Sequence, residues 1–315
     1  MEFFKTNTNI NFLGLRKIAA CISIGLVIAS VICLVVKGLD FGLDFTGGTQ
    51  IQMTFPQTAN IEEIRATLHN SGLEKTQVQT YGDSQSVLIT IAAQATKNLS
   101  TEEQQKEQNI LSQKVINLFK TAKVQSASYV GAKVSSELIN KGILAILIAL
   151  FATGVYIAFR FEYRLAVSAA VALIHDPILI LGIFSFFRIE FDLVTLAAVL
   201  TIIGYSLNDT VVVFDRIREN FRKMRKATPT EIVNTSINQT LSRTIMLSGL
   251  TLTVVTVLFL FGGPSIHAFS LALIIGIVVG TYSSIYVAGA LAVALGLNRA
   301  DLLPPVRNKD IESMP

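Results

Sequence analysis

Two aspartates occupy positions where a charged side chain is energetically unfavourable. Asp176 follows His175, and Asp209 lies between Asn208 and Thr210, each inside a long apolar run. A charge at the centre of a bilayer costs about 2.5–3.5 kcal/mol on insertion scales, so such residues usually face a bundle interior or water and serve a function. Burial raises the pKa of a carboxyl group and a nearby cation lowers it, so a carboxyl group subject to both can bind and release a proton near neutral pH. We therefore interpret Asp209 as a candidate proton-transfer residue.

The residues around Asp209 supply groups that such a transfer needs. Arg243, at the start of the fifth apolar run, is a basic residue that can pair with the Asp209 carboxylate. Thr201, Tyr205 and Asp209 follow each other at four-residue spacing, and Ser206 lies one turn before Asp209, so a helix would present them as a polar stripe. The alternatives are that Asp209 bonds to the backbone of a neighbouring helix and that Arg243 marks a membrane surface.

The His175-Asp176 pair has two possible roles. Pro177 removes a backbone N–H from the helix, which leaves the carbonyl group of Leu173 without its donor. The pair either repairs this kink or supports proton transfer, and one charge moved through 100 mV is worth about 2.3 kcal/mol. The residues that we predict to support Asp209 are His175, Asp176, Tyr205, Ser206, Asn208 and Thr210.

The composition excludes several other functions. Of the 315 residues, 51% are hydrophobic and 15% are charged, and the mean hydropathy is +0.55, whereas globular proteins carry about 25% charged residues. The two cysteines, Cys21 and Cys33, share one apolar run, where we interpret them as small packing residues. The three histidines lack metal-ligand spacing, and no phosphate-binding glycine loop or nucleophile–base pair is present. We predict no metal, no other cofactor and no enzymatic activity.

The apolar residues are concentrated in runs that are long enough to cross a membrane. A helix that spans a hydrocarbon core of about 30 Å needs about 20 residues, and residues 244–298 contain no Asp, Glu, Lys or Arg. The sequence therefore predicts a multi-pass α-helical membrane protein. The predicted spans are 16–36, 142–160, 165–187, 193–214, 244–263 and 268–296.

The distribution of Lys and Arg predicts the orientation. If both termini are cytoplasmic, the seven basic residues between 216 and 243 lie on the cytoplasmic side, as the positive-inside rule requires. This topology explains the net charge of +4 without nucleic acid, for which we predict no role. The predicted divisions are 1–37 for the cytoplasmic N-terminus and first span, 38–140 for an inserted domain, 141–214 for spans 2–4, 215–243 for a cytoplasmic loop, 244–298 for spans 5–6 and 299–315 for a cytoplasmic tail.

The inserted domain, residues 38–140, has the composition of a soluble domain. Ile51, Met53 and Phe55 alternate with polar residues, as a half-buried strand requires. Capping and turn signals predict the other elements: a helix from Asn60, strands at 77–81 and 86–92, a helix opened by Ser100 with Glu103, and a strand at 124–130. The order βαββαβ predicts an α+β, ferredoxin-like fold.

A further helix is predicted inside the cytoplasmic loop 215–243. Thr228, Pro229 and Glu231 combine an N-cap, a proline at the first helical position and a capping-box glutamate. The apolar residues of this helix fall on one side, so we expect it to lie along the membrane surface. The basic residues at 222–226 either contact anionic lipid or a partner, or only follow the positive-inside rule.

Several motifs resemble a known family. They are Asp44-Phe45-Thr46-Gly47-Gly48 after the first span, the run from Gly204 to Asn220 around Asp209, the run from Ser236 to Thr244 that includes Arg243, and His175-Asp176. Together they resemble the SecF side of the SecD/SecF family of bacterial protein-export membrane proteins. The resemblance covers residues 12–296.

The resemblance implies a six-span bundle of the resistance-nodulation-division (RND) type in the bacterial inner membrane, with a small periplasmic domain between spans 1 and 2. It implies a heterodimer with SecD that binds the SecYEG channel, often with YajC. It also implies contacts with membrane lipid and with exported polypeptide, which the complex would pull or release on the outer side. The implied function is use of the proton-motive force to promote late steps of export. The resemblance places the proton-transfer aspartate at Asp209 and its arginine at Arg243, with the other half of the path in SecD.

Two other functions are compatible with carboxylates inside a membrane. A proton-coupled small-molecule efflux component of RND type would use similar residues, but one modest inserted domain supplies too little for a substrate funnel. A structural scaffold of the translocation channel would need no proton flow. The substitution Asp209→Asn distinguishes the scaffold from a proton-driven subunit, because only the latter needs the carboxyl group.

Overall fold

The chain is represented by a computed structural model that describes residues 9–73, 76–92 and 101–299. The first eight residues of the predicted N-terminal segment, the helix start at Ser100 and the tail beyond Arg299 lie outside the described residues. The predictions for these segments therefore stay predictions.

Six helices in the described part of the chain are long and apolar enough to cross a membrane, which confirms the multi-pass prediction. We number them as spans 1 to 6. They are α1 (Arg16–Val36), α5 (Ala132–Arg160), α6 (Tyr163–Phe187), α7 (Leu193–Lys223), α8 (Pro229–Phe261), and a last span made of α9 (His267–Tyr282), a π-helical turn (Ser283–Ala288) and α10 (Gly289–Ala294).

Buried residues concentrate in spans 3, 4 and 6, whereas spans 1, 2 and 5 expose apolar side chains such as Ile18, Phe151 and Leu250. Close approach in the centre depends on small residues, as expected between membrane helices. A Cβ atom on Gly280 of span 6 would lie 3.1 Å from the Ser206 Cβ atom of span 4. Spans 3, 4 and 6 therefore form the centre of the bundle.

Cys21, interpreted above as a small packing residue, does not pack against the described part of the bundle. It is exposed, and a Cβ atom on Gly25, about one turn further along the helix, would meet nothing within 4 Å. The small residues of span 1 that are buried are Ala19, Ser23 and Ser30.

The inserted domain has the predicted ferredoxin-like order. Its strands are β2 (Gly48–Thr54), β3 (Thr76–Tyr81), β4 (Asp83–Ala92) and β5 (Lys123–Val130), and its helices are α3 (Ile61–Asn70) and α4 (Thr101–Leu118). The strands form an antiparallel sheet in the order β3-β4-β2-β5. One sheet face packs on the helices through Ile51, Met53, Val87 and Ile89, which are fully buried. Asn60 caps α3 as predicted, because its side chain accepts from the N–H groups of Glu62 and Glu63.

Two helices continue beyond the predicted membrane-spanning part of their sequence. The helix of span 2 begins at Ala132, directly after β5, so the end of the segment that we assigned to the inserted domain is helical and continuous with span 2. Six of the ten residues 132–141 are polar or charged, and hydropathy therefore does not detect this helical extension.

The predicted surface helix in the loop 215–243 is the first part of span 5. The capping box at Thr228 and Glu231 is present, but the helix that it opens runs without a break to Phe261. Its apolar residues Val233 and Ile237 are buried in the protein core instead of facing lipid. Span 4 extends to Lys223 in the same way, so the loop consists mainly of two helical extensions.

A small junction connects the inserted domain to the start of span 4. Strand β1 (Asp40–Phe41) follows span 1 and pairs in parallel with β6 (Glu190–Phe191), which precedes span 4. The short helix α2 (Leu43–Thr46) then brings the Phe45 ring onto the Phe191 ring, with centroids 5.9 Å apart. The helix that carries Asp209 therefore begins at the point where the inserted domain is attached.

Candidate proton-transfer site

Asp209 is buried in span 4, with 3% of the residue exposed. The hydroxyl group of Ser248 in span 5 donates a hydrogen bond to its Oδ2 atom at 3.4 Å. The Ser248 hydroxyl also lies 2.9 Å from the Thr281 hydroxyl of span 6. Asp209 is thus the first member of a hydroxyl chain that connects spans 4, 5 and 6.

Arg243, the predicted cation partner, is exposed and lies five residues before Ser248 in span 5. Among the described residues, it forms no ion pair with the Asp209 carboxylate within 4.0 Å. The structure therefore places Arg243 on the helix that contributes Ser248, without a direct contact to the carboxylate.

Asp176 is more tightly held than Asp209. The hydroxyl groups of Ser206 in span 4 and Ser283 in span 6 both donate to its Oδ2 atom, the latter at 2.9 Å. The Nδ1 atom of His175 lies 2.9 Å from its Oδ1 atom, whereas the His175 Nε2 atom is buried without a partner in the described structure. Asp176 therefore connects spans 3, 4 and 6 through one carboxylate oxygen, Oδ2, while Oδ1 contacts the neighbouring His175 of its own span.

The kink explanation for this pair finds no support in the contacts. Span 3 continues as one α-helix through Pro177. Within the described residues, the hydrogen bonds of His175 and Asp176 involve each other and neighbouring spans, and neither side chain contacts the carbonyl group of Leu173.

The other predicted supporting residues do not reach Asp209. Tyr205 donates to the Thr251 hydroxyl of span 5 at 3.4 Å, and Thr210 donates to the Ser206 carbonyl group of its own helix. Asn208 is exposed on the outer surface of span 4. Of the predicted polar stripe, only Ser206 joins the buried carboxylates, and it does so at Asp176.

Sequence analysis missed the polar residues of spans 5 and 6. Ser248 donates to Asp209 and Ser283 donates to Asp176, while Thr281 contacts the Ser248 hydroxyl. Tyr282 connects span 6 to span 1 through the Ala19 carbonyl group at 2.9 Å. The π-helical turn begins at Ser283, and such turns occur frequently at functional sites. The sequence shows these hydroxyl residues within otherwise apolar spans. Which groups they contact, however, depends on the register of three helices relative to one another.

The motif Asp44-Phe45-Thr46-Gly47-Gly48 forms the junction and is remote from Asp209 in the chain. The Asp44 carboxylate accepts from the backbone N–H of Leu193 at 3.2 Å, at the first residue of span 4. Gly47 has φ 68° and ψ 163°, and Gly48 has φ 125°, which only glycine adopts without strain. The motif thus consists of an acceptor for a helix start, an aromatic anchor and a turn that requires glycine.

Carboxylates cluster at this junction. Burial raises the pKa of the Glu190 carboxyl group. A hydrogen bond from Gln79 of β3, at 3.2 Å, opposes the shift, and repulsion from Asp192, Asp40 and Asp44 adds to it. No group of three His, Cys, Asp or Glu residues in the described ranges has an arrangement that suits a metal ion.

Two family signatures match the chain. Residues 34–59 match the SecD/SecF GG motif, and residues 110–298 match the family described as protein export membrane protein SecD/SecF, C-terminal. The protein translocase subunit SecF of Vibrio alginolyticus is 45% identical over 314 residues, which cover 98% of this chain and 97% of the relative. The SecF subunit of Haemophilus influenzae is 44% identical over 304 residues, with 96% of this chain and 91% of the relative covered.

Two solved structures of SecDF support the same family assignment. The crystal structure of SecDF, a translocon-associated membrane protein from Thermus thermophilus, superposes with a TM-score of 0.82 at 33% identity. The match covers 94% of this chain and 40% of the SecDF chain, so this chain corresponds to less than half of SecDF. A SecDF structure in a super-membrane-facing form gives a TM-score of 0.67 at 33% identity, with 95% and 40% of the two chains covered. On these matches, the chain belongs to the SecD/SecF family of protein export membrane proteins, as a multi-pass subunit with an auxiliary role in Sec protein translocation.

Proposed function

We propose that this subunit, paired with SecD, uses proton exchange at Asp209 to promote late steps of polypeptide export through the SecYEG channel. The proposal places the chain in the bacterial inner membrane with both termini in the cytoplasm and the inserted domain in the periplasm. YajC is a further proposed partner. The subunit itself carries out no enzymatic reaction.

The observation that carries the proposal is the difference between the two buried carboxylates. Asp176 has three side-chain partners, two of them on other spans, so a change in its charge would disturb several hydrogen bonds at once. Asp209 has one long hydrogen bond, from Ser248. A buried carboxyl group with few partners can gain or lose a proton with little rearrangement, which favours Asp209 as the exchanging group and Asp176 as a connection between helices.

A hydroxyl group has one proton to donate, and this makes the Asp209 chain sensitive to protonation. While Asp209 is ionised, Ser248 donates to it, and Thr281 must donate to Ser248 to keep their 2.9 Å contact. When a protonated Asp209 donates to Ser248, Ser248 can donate to Thr281. The Thr281 hydroxyl is then free to donate to the Ile277 carbonyl group of its own helix, 2.8 Å away. Protonation would thus reverse the hydrogen bonds between spans 4, 5 and 6.

The reversal occurs next to the connection between spans 6 and 1. Tyr282 follows Thr281 and bonds both the Ala19 carbonyl group and the Ser23 hydroxyl of span 1, at 2.9 and 3.0 Å. Span 1 leads into the inserted domain through β1, and span 4 begins at the same junction. A shift in span 6 would therefore act on spans 1 and 4, which meet at the junction with the inserted domain.

The exposed surface of span 4 supports pairing with another membrane subunit. Asn208 is exposed beside Asp209, and a Cβ atom on Gly204 would meet nothing within 4 Å. An amide side chain facing lipid is costly, and small residues favour close approach of a second helix. We propose that SecD covers this surface and completes the proton path.

The test is the rate of export in cells whose only copy of the subunit carries Asp209→Asn. We expect export to slow by at least tenfold while immunoblots show normal levels of the complex. The matched control is Glu219→Gln, which removes an acidic charge from the exposed extension of the same helix and should leave export unchanged, because its surface ion pairs contribute little.

Wild-type export with Asp209→Asn would contradict the proposal and leave only a scaffold role. A change in drug susceptibility with intact export would instead favour an efflux function. The substitution Thr281→Val retains the carboxyl group but removes the hydroxyl chain, so it should slow export without preventing assembly.

A further inference from the structure

An apolar groove lies between spans 1, 3 and 6, at the end of the bundle opposite the inserted domain. It has a volume of about 510 Å³. Span 1 contributes Ala20 and Ile24, span 3 contributes Val171, and span 6 contributes Ala290 and Ala294 among its lining residues. The two alanines of span 6 are four residues apart on one helix face, so their small side chains form the floor of the groove.

Two basic residues stand at the mouth of the groove. Arg16 and Lys17 form the first turn of span 1 and line the groove together with the half-buried Tyr286. No acidic residue lines it. In the described part of the chain, the Arg16 and Lys17 side chains form no ion pair or hydrogen bond. The groove therefore combines an apolar floor with unneutralised positive charge at one end.

We propose that this groove binds an anionic phospholipid. The phosphate group would contact Arg16 and Lys17, the Tyr286 hydroxyl would donate to a phosphate or ester oxygen, and one acyl chain would lie on the alanine floor. Because Arg16 and Lys17 begin a membrane span, they stand at the depth of the headgroups, where basic pockets between helices bind anionic lipids. On the proposed orientation, this is the cytoplasmic leaflet.

A helix of a partner protein fits the groove less well. It would enclose Arg16 and Lys17 in an interface without an acidic partner on this chain, and a buried charge without a partner is strongly unfavourable. A phospholipid neutralises these charges with its phosphate and keeps the headgroup in water. Its flexible acyl chain also fills an irregular groove that a rigid helix would not.

The test measures lipid binding by native mass spectrometry of the purified complex with SecD. The complex is released from detergent after addition of palmitoyl-oleoyl phosphatidylglycerol, or of the uncharged phosphatidylcholine with the same acyl chains. We expect retention of phosphatidylglycerol in preference to phosphatidylcholine. The double substitution Arg16→Gln/Lys17→Gln should weaken binding by about fivefold per charge removed. Ala294→Phe, which fills the floor and keeps both charges, should reduce binding to a similar extent.

The matched control is Arg225→Gln/Lys226→Gln, which removes two exposed charges on the same side of the membrane but outside the groove. It should leave phosphatidylglycerol binding unchanged. Equal losses from the two double substitutions would show general attraction to the basic surface and overturn the proposal. Unchanged binding with Ala294→Phe, or displacement of the lipid by inorganic phosphate, would show a phosphate site without an acyl-chain groove. Absence of phosphatidylglycerol from the wild-type complex would also overturn the proposal.

Discussion

The molecule contains two groups of carboxylates that are stabilised by different donors. In the bundle, Asp176 and Asp209 receive hydrogen bonds from serine hydroxyl groups on neighbouring spans. At the junction, Asp44 and Asp192 receive them from the backbone N–H groups of Leu193 and Thr195, in the first turn of span 4. A hydroxyl group can donate or accept, whereas a backbone N–H only donates.

This difference suits the two groups for different tasks. Hydroxyl partners can reverse their direction when a carboxyl group is protonated, so the interior group can change the contacts between helices. Backbone donors at a helix start stabilise a negative charge in a fixed position, with the helix dipole in support. Span 4 contains both kinds of site, because it begins at the junction and carries Asp209. We therefore regard the junction as a fixed attachment and the interior as the switchable part.

The largest effect that tests this comparison is expected from Asp176→Ala. The substitution leaves the Ser206 and Ser283 hydroxyl groups without their acceptor, and a buried unsatisfied polar group costs about 1–3 kcal/mol. The loss should approach the upper end because the buried Ser206 hydroxyl group loses its acceptor, although Ser283 can still bond the Gly280 carbonyl group. The midpoint of thermal unfolding, followed by circular dichroism in detergent, should fall by several degrees.

Thr201→Ala is the control, because Thr201 is exposed and its hydroxyl group bonds only its own helix. It should leave the midpoint nearly unchanged. An unchanged midpoint for Asp176→Ala would mean that the carboxylate does not hold spans 3, 4 and 6 together.

Much of this arrangement could be predicted from the sequence. The apolar runs predicted the spans, and the alternation of Ile51 and Met53 with polar residues predicted a strand of the inserted domain. The position of Asp176 and Asp209 inside apolar runs predicted their burial. These features depend on local periodicity and composition, which are properties of the sequence itself.

The partners of the carboxylates could not be predicted in the same way. Ser248, Thr281 and Ser283 differ in no local respect from Thr253, which bonds only the Gly249 carbonyl group of its own helix. Which hydroxyl group reaches a carboxylate depends on the rotation and register of three helices, and tertiary packing sets both. The extensions of spans 2 and 4 were missed because a polar helix has no hydropathy signal. The extension of span 5 was predicted as a helix, but not as continuous with the span.

A smaller effect is expected at the junction from Gly47→Ala. Gly47 has φ 68° and ψ 163°, a region in which a residue with a Cβ atom costs about 1–3 kcal/mol. Gly131→Ala is the control at the other end of the inserted domain, where φ is −69° and the added Cβ atom would make an ordinary 3.5 Å contact. We expect the unfolding midpoint to fall for Gly47→Ala and to change little for Gly131→Ala. Equal midpoints would mean that the junction rearranges easily and is not a fixed attachment.

The smallest effect is expected when the charge of Glu190 is removed. Whether the unfolding midpoint then rises or falls shows whether ionised Glu190 weakens or strengthens the junction. Burial raises the pKa of this carboxyl group above its ordinary value of 4.5, so the folded protein binds a proton that the unfolded chain releases. Stability is therefore greatest below that value and is lost as the pH rises through the folded pKa. Glu190→Gln keeps an oxygen that can accept from Gln79 but removes the charge. Its unfolding midpoint should exceed that of the wild type at neutral pH and match it in acid.

Asp83→Asn provides the opposite case in the inserted domain. Hydrogen bonds from the Ser86 side chain and from the backbone N–H groups of Gln85 and Ser86 lower the pKa of Asp83, so ionisation of this carboxyl group stabilises the fold and the gain is lost as the pH falls. The asparagine variant should thus be less stable than the wild type at neutral pH. If Glu190→Gln also lowered stability there, the ionised glutamate would be a favourable part of the junction. The mutual repulsion of its carboxylates would then be outweighed by the donors at the start of span 4, and ionisation would strengthen the attachment of the inserted domain.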